Sequence, residues 1–139
     1  MARLFEYQGK GFLKDAGIPI PMGEVASTAK EAREIATRMG KPVIVKAQVW
    51  AGGRGKAGAV KSADTPEEAE KAASVILGMT VKGFPVRKVL VEEKLSIEKE
   101  YYVGIMPDSS WNIRAPVVIF STEGGMDIEE VPEDKVCRA

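Results

Sequence analysis

The sequence contains no histidine and a single cysteine, Cys137, among its 139 residues. Without histidine, the serine–histidine triad, imidazole zinc ligation and histidine acid–base chemistry are all excluded. One cysteine cannot form an internal disulfide, which is typical of proteins in a reducing compartment, so we expect a cytoplasmic protein. Any chemistry in this chain must therefore use lysine, arginine, carboxylates, backbone amides or a bound metal.

The chain also lacks an excess of charge of either sign, because 20 lysine and arginine residues balance 20 aspartate and glutamate residues. Proteins that bind nucleic acids or anionic membranes through their overall charge are normally basic, so we expect neither kind of partner. No apolar run approaches the roughly 20 residues that span a bilayer. Aromatic residues are scarce at 6%, whereas 45% hydrophobic and 29% charged residues indicate a globular domain.

Capping and alternation patterns predict a mixed α/β fold. Thr28 and Glu31 form a capping box that begins a helix, and a threonine followed by proline at 65–66 begins another. The other predicted elements are a helix at Phe5–Ala16, strands at Glu24–Ala26, Val43–Val49, Ala59–Ala63, Lys88–Glu93, Glu100–Ile105 and Ile113–Phe120, and a turn at Pro107–Ser110. This order predicts an α/β protein of the α+β type with a mixed, partly antiparallel sheet. The charged tail at 129–139 has no terminating pattern, so we expect a chain that has been cut there.

The most informative stretch is the glycine-rich segment at 51–58, called here the glycine loop. Gly53, Gly55 and Gly58 satisfy G-x-G-x-x-G, which is a weak signal alone. In a dinucleotide-binding unit the third glycine opens a helix, but here a strand follows, so that class is excluded. A P-loop is also excluded, because Lys56 is followed by alanine. A glycine loop between two strands is instead typical of a flap that folds over the phosphate groups of a bound nucleotide.

Positive charges lie on and beside this loop. Arg54 and Lys56 are expected at its tip, and Lys46 on the preceding strand shares a face with Gln48, which would place the ammonium beneath the loop. We expect the charge of Lys46 to be satisfied only when an anion binds. The residues alone leave three alternatives: a phosphate-binding loop, an ordinary glycine hairpin with a basic tip, and an RNA-binding tip.

A second candidate feature is the extended apolar segment Val89–Glu93, followed by Glu100. Its backbone is suited to hydrogen-bond the edge of an adenine base, and Glu100 could accept hydrogen bonds from ribose hydroxyls. The alternative is an ordinary strand followed by a solvated acidic surface.

Several segments resemble the β subunit of succinate–CoA ligase (succinyl-CoA synthetase), an ATP-grasp enzyme. The residues that carry the resemblance are Val45–Gly58, Leu4–Gln8, Leu90–Glu92, Lys99–Glu100 and Ser121–Gly125. The resemblance covers nearly the whole chain and implies the N-terminal part of a β subunit. It implies that 1–22 belong to the larger ATP-grasp lobe, 23–97 form the smaller lobe, and 98–139 begin the larger lobe.

The resemblance also implies a set of ATP-binding residues. Carried over position by position, they are Lys46, Gly53, Arg54, Gly55, Glu92, Leu95 and Glu100. Leu95 is apolar and could contribute only through its backbone, and Trp50 stands where histidine is common in the family. No catalytic residue is expected in this chain, and the magnesium ligands are expected beyond Ala139.

The implied reaction converts succinate, CoA and ATP or GTP into succinyl-CoA, NDP and phosphate. The phosphate-carrying histidine would belong to a partner α subunit, and the chain alone should not catalyse the whole reaction. Two alternatives stay open: a malate–CoA ligase or citrate-activating relative, and a non-catalytic module that docks an α-type partner.

Overall fold

The computed structural model describes residues 3–108, 115–124 and 131–138. The chain divides into two compact units, residues 1–95 and 96–139. None of the helices in the described ranges has the length and apolar character required to cross a membrane.

The described residues of the first unit, from residue 3 on, form three helices and six strands. The helices are α1 (Glu6–Asp15), α2 (Ala29–Met39) and α3 (Pro66–Leu77). The strands are β1 (Gly23–Ala26), β2 (Val43–Ala47), β3 (Val60–Ala63), β4 (Thr80–Val81), β5 (Phe84–Pro85) and β6 (Val89–Glu93). The predicted mixed α/β fold is confirmed, although β2 ends two residues earlier than predicted. The hairpin of β4 and β5 was not predicted, because each of its strands has only two residues.

Four strands form one antiparallel sheet in the order β1-β6-β2-β3. β6 lies between β1 and β2, and Ile44 of β2 pairs with Glu92 of β6. This register places Ile44, Lys46, Leu90 and Glu92 on one face of the sheet, because side chains alternate along a strand. The opposite face carries the small apolar side chains of both strands.

The hydrophobic core lies between that apolar face and helices α2 and α3. Both helices begin at the predicted threonine caps: Thr28 accepts a hydrogen bond from the Glu31 amide, and Thr65 accepts one from Glu68. Gly40 ends α2 with a φ of 63°, a left-handed conformation that glycine adopts without steric cost. The helix faces toward the sheet are rich in alanine, which allows close packing: Ala32, Ile35, Ala36, Ala69, Ala72, Ala73 and Ile76 are buried.

Helix α1 contacts the unit differently, because none of its residues is buried. It contains two glycines and reaches the polar face of the sheet through charged side chains. The backbone amide of Tyr7 also donates a hydrogen bond of 3.3 Å to Gln48 Oε1. Helix α1 is therefore held to the sheet by electrostatic and hydrogen-bonding contacts.

The described residues of the second unit form a three-stranded antiparallel sheet in the order β7-β8-β9. Its strands are β7 (Tyr102–Asp108), β8 (Ala115–Ser121) and β9 (Val136–Arg138), and a 3-10 helix at Glu133–Lys135 precedes β9. The predicted turn at Pro107–Ser110 is wrong for its first two residues, which belong to β7. Pro107 pairs with Pro116 across β7 and β8. Because proline has no N–H, two opposing prolines are compatible with a non-hydrogen-bonded pair of an antiparallel ladder. Residues 109, 110, 113 and 114 of the predicted turn and strand lie outside the described residues.

Gly124 approaches the chain that precedes β7. Its amide donates to the carbonyl oxygen of Glu100 at 3.1 Å. A Cβ on Gly124 would lie 2.6 Å from the Glu100 carbonyl carbon and from the Tyr101 nitrogen, so this position requires glycine. The expected division at 1–22, 23–97 and 98–139 into two ATP-grasp lobes remains a prediction.

Candidate nucleotide-binding site

The glycine loop joins β2 to β3, as the sequence predicts, and is closed by its own backbone. Ala47 and Ala59 meet at its base, where the Ala47 amide donates to the Ala59 carbonyl at 2.9 Å. Inside the loop, the amides of residues 57, 58 and 59 donate to the carbonyls of residues 53, 55 and 54. Gly53 has a φ of 72°, which suits glycine. Within the described part of the chain, the amides of residues 53–55 have no hydrogen-bond acceptor.

Five charged side chains meet on the polar face of the sheet, beside the loop. This ion-pair cluster consists of Glu6 and Lys10 of α1, Lys46 of β2, Arg54 of the glycine loop and Glu92 of β6. The Lys46 ammonium lies 3.0 Å from Glu92 Oε1 and 3.3 Å from Glu6 Oε1. Lys10 pairs with Glu92 Oε2 and lies 3.3 Å from Glu6. The cluster holds three cations and two carboxylates, so one positive charge is in excess.

Arg54 folds back toward the sheet, so the prediction that it lies at the loop tip is wrong. Its Nη1 donates to the Ala47 carbonyl oxygen at 2.8 Å and lies 2.8 Å from Glu6 Oε2. Glu6 Oε2 is buried and has no hydrogen-bond partner among the described residues, so its contact with Arg54 is electrostatic. Arg54 therefore fixes the loop to both the sheet and α1.

Opposing effects set the protonation of the cluster. Burial of the Glu6 carboxyl would raise its pKa, but the charges of Lys46, Arg54 and Lys10 outweigh that effect and lower the pKa from 4.5 to about 2. Burial similarly opposes the charge of Lys46, yet Glu6 and Glu92 raise the pKa of Lys46 above 10.5. The expectation that Lys46 stays unpaired until an anion binds is wrong, because both carboxylates already neutralise it.

An aromatic stack lies next to the cluster. The Trp50 and Phe5 rings are nearly parallel, with centroids 4.8 Å apart, and Tyr7 continues the stack at 6.0 Å from Phe5. Trp50 and Arg54 also line an open cleft of about 370 Å³, whose other residues are Arg3, Leu4, Glu6, Val49, Ala51 and Gly52. The loop, the N-terminal segment and the cluster thus form one continuous surface.

The structure brings together five of the seven predicted nucleotide contacts: Lys46, Gly53, Arg54, Gly55 and Glu92. Leu95 follows β6, is half exposed, and makes no ion pair or side-chain hydrogen bond with the cluster among the described residues. Glu100 belongs to the second unit, where its carbonyl oxygen accepts from Gly124. Glu6 and Lys10 were not predicted as site residues, because their i, i+4 spacing on a helix is the one signal in the sequence that connects them.

The donor set accommodates an anion better than a metal ion. Loop amides and a surplus cation are suited to phosphate oxygens. No group of three acidic, cysteine or histidine side chains that could hold a metal occurs among the described residues. Both acidic residues of the cluster are already paired with lysine or arginine. The expectation that magnesium ligands lie beyond Ala139 stays a prediction.

The fold is that of the ATP-grasp class. The chain belongs to the ATP-grasp domain family, which matches residues 3–136.

Among curated relatives, the GDP-forming succinate–CoA ligase subunit beta of Thermus thermophilus is 52% identical over 132 residues, covering 95% of this chain and 34% of the relative. The ADP-forming succinate–CoA ligase subunit beta 1 of Archaeoglobus fulgidus is 56% identical over 129 residues, covering 93% of this chain and 33% of the relative. The chain thus spans about a third of the length of the curated relatives it matches.

A solved structure supports the same fold. The dinucleotide-forming acetyl-coenzyme A synthetase 1 of Ca. Korarchaeum cryptofilum, in complex with coenzyme A, Ca-AMPCP and HgCl+, superposes with a TM-score of 0.72 at 26% identity. The match covers 84% of this chain and 52% of that chain. The resemblance stated from the sequence is therefore confirmed at the level of the family.

Proposed function

We propose that this chain is the nucleotide-binding portion of the β subunit of an acid–CoA ligase, with succinate as the acid. The observation that carries the proposal is the glycine loop, whose amides at residues 53–55 lack acceptors in the described structure. The loop's Arg54 shares the carboxylate of Glu6 with Lys46. The curated relatives, which are 52% and 56% identical to this chain, support the ligase class and succinate as the acid.

Each predicted contact has a role in this proposal. Lys46 would neutralise phosphate charge, and the backbone of residues 53–55 would cover the phosphate groups. The segment around Glu92 and the backbone of Leu95 would contact the base, and Glu100 the ribose. ATP and GTP are both candidates, because similar relatives carry ADP-forming and GDP-forming names.

The complete reaction would join succinate to CoA while the nucleoside triphosphate is converted to the diphosphate and phosphate. Its terminal phosphoryl group would pass through a phosphohistidine on a partner α subunit to the succinate carboxylate, and CoA would then displace it as phosphate. Magnesium would accompany the nucleotide, and CoA would be a substrate of the complete enzyme. This chain supplies no histidine, so its contribution is to bind and orient the nucleotide. The cytoplasmic location expected from the single cysteine belongs to the same proposal.

A nucleotide titration tests the proposal. We expect saturable binding of Mg–ATP or Mg–GTP by calorimetry, with a change in Trp50 fluorescence measured in a Trp111→Phe background. Gly53→Val should abolish binding, because a β-branched residue at a φ of 72° is strained and would shift the loop backbone. In the complete β subunit assembled with its α partner, near-normal nucleotide turnover by Gly53→Val would contradict the proposal.

Assays of the complete β subunit with its α partner also distinguish the alternative acids and the alternative of a docking module. A panel of succinate, malate and citrate identifies the acid. Binding of an α subunit without any nucleotide binding would favour the non-catalytic docking module.

A further inference from the structure

The short hairpin of β4 and β5 brings another cation to the glycine loop. Lys82 and Gly83 form its turn, between the pairs Val81–Phe84 and Thr80–Pro85. A Cβ placed on Gly53 would lie 3.4 Å from Lys82 Nζ and 3.7 Å from Lys82 Cε. Lys82 is separated from Gly53 by a strand, a helix and another strand, so no local sequence motif connects the two residues.

The position of this hairpin is fixed by its ends. Val81 and Val86 are both buried in the core of the first unit. The Val86 amide donates to the Met79 carbonyl oxygen at 3.0 Å. The turn itself is exposed, and its Lys82 has a φ of 48°, a left-handed conformation that is uncommon for a residue with a Cβ. A base that is packed into the core therefore presents the lysine toward the loop.

Lys82 also differs from the cations of the ion-pair cluster. Lys10, Lys46 and Arg54 each contact at least one carboxylate. Lys82 makes no ion pair or hydrogen bond with any residue in the described ranges. Among the described residues it is thus a cation without a counter-ion, next to loop amides that lack acceptors there.

The charge of the proposed ligand exceeds what the cluster can neutralise. The cluster has one positive charge in excess, whereas a nucleoside polyphosphate carries nearly two negative charges on its terminal phosphate alone. A cation at Gly53 would neutralise part of the remaining negative charge, at the place where the loop amides meet the phosphates.

We propose that Lys82 is a further phosphate-binding residue, which contacts the polyphosphate chain at Gly53 from the β4–β5 hairpin. The inference rests on the proposed nucleotide-binding function and extends its phosphate site to a second structural element. The contact is a charge-assisted hydrogen bond to phosphate oxygen and requires no change in the cluster.

The test compares Lys82→Gln with the matched variant Lys71→Gln in the 139-residue chain. Lys71 is an exposed lysine on α3 without an ion pair in the described structure, so both variants lose the same charge. We expect Lys82→Gln to weaken ATP and ADP binding by about fivefold or more, and Lys71→Gln to leave it unchanged. Lys82→Arg should retain most of the affinity. Inorganic tripolyphosphate, used as a competitor, should lose affinity in parallel.

The salt dependence gives an independent readout. The difference between wild type and Lys82→Gln should shrink from about 0.1 M to about 1 M salt, where the Debye length falls from about 10 Å to about 3 Å. Equal ATP affinity of wild type and Lys82→Gln would overturn the inference and leave the nucleotide site intact. A wild-type chain that binds neither ATP nor tripolyphosphate would overturn the inference together with the proposed function.

Discussion

Replacement of Glu6 by glutamine tests whether charge holds helix α1 to the sheet. The substitution keeps the size of the side chain but removes the negative charge shared by Lys46, Arg54 and Lys10. Each of these cations keeps another partner, Glu92 or the Ala47 carbonyl oxygen. The substitution should therefore change the electrostatics of the cluster without leaving any of its cations unpaired.

The size of the effect follows from the lowered pKa. A shift from 4.5 to about 2 corresponds to about 3 kcal/mol of preference for the ionised carboxylate, at about 1.4 kcal/mol for each pKa unit. Because the folded pKa is the lower one, this stabilisation is present above pH 4.5 and is lost as the pH falls toward 2. The same linkage gives a remaining contribution of about 1 kcal/mol at about pH 3.

Urea unfolding of wild type and Glu6→Gln, followed by tryptophan fluorescence, measures this contribution. We expect the variant to be less stable by up to about 3 kcal/mol at pH 7, and by about 1 kcal/mol at pH 3. Glu34→Gln is the control, because Glu34 belongs to an exposed pair with Lys30 at 4.0 Å that should contribute little. Equal destabilisation by Glu6→Gln at both pH values would refute the electrostatic reasoning.

Three further substitutions give distinct outcomes. Lys46→Ala should weaken nucleotide binding at least about tenfold in calorimetry, because it removes a charge-assisted phosphate contact, and unchanged affinity would exclude Lys46 from the site. It should also lower the free energy of unfolding, since Lys10 is then the one lysine that pairs with the buried Glu92 in the described part of the chain. Gly9→Ala should stabilise α1 by roughly 0.5–1 kcal/mol, because alanine favours a helix over glycine and nothing lies within 4 Å of the added methyl group. Thermal melting followed by circular dichroism measures this change, and a lower melting temperature would show that the helix requires glycine there. Gly124→Ala should disrupt the second unit while the first unit keeps its structure, because the added methyl group would lie 2.6 Å from backbone atoms of Glu100 and Tyr101. Native-like amide NMR shifts in the second unit of this variant would contradict the prediction.

Much of the first unit could be predicted because its signals are local. The caps at Thr28 and Thr65, the left-handed Gly40 and the alternation in Val43–Ala47 each depend on residues close in sequence. The glycine loop was correctly placed between strands because too few residues separate it from the next helix.

The electrostatics of the site could not be predicted in the same way. Glu6 and Lys46 are 40 residues apart, and Lys10 and Glu92 are 82 apart, so no periodicity connects them. The direction of Arg54 was also missed, because a loop side chain has no strand or helix to orient it. The hairpin at Lys82 could not be predicted from alternating apolar and polar residues, since its strands have two residues each.

The pairing of Lys46 with two carboxylates has a consequence for the measured affinity of any anionic ligand. An anion that contacts this ammonium competes with Glu6 and Glu92, so the free energy of binding includes the ion pairs that are weakened as well as the contacts that are formed. The observed dissociation constant therefore depends on acidic residues that repel the ligand. Variants at these carboxylates would change affinity and stability in opposite directions, which couples ligand recognition to the attachment of the N-terminal helix.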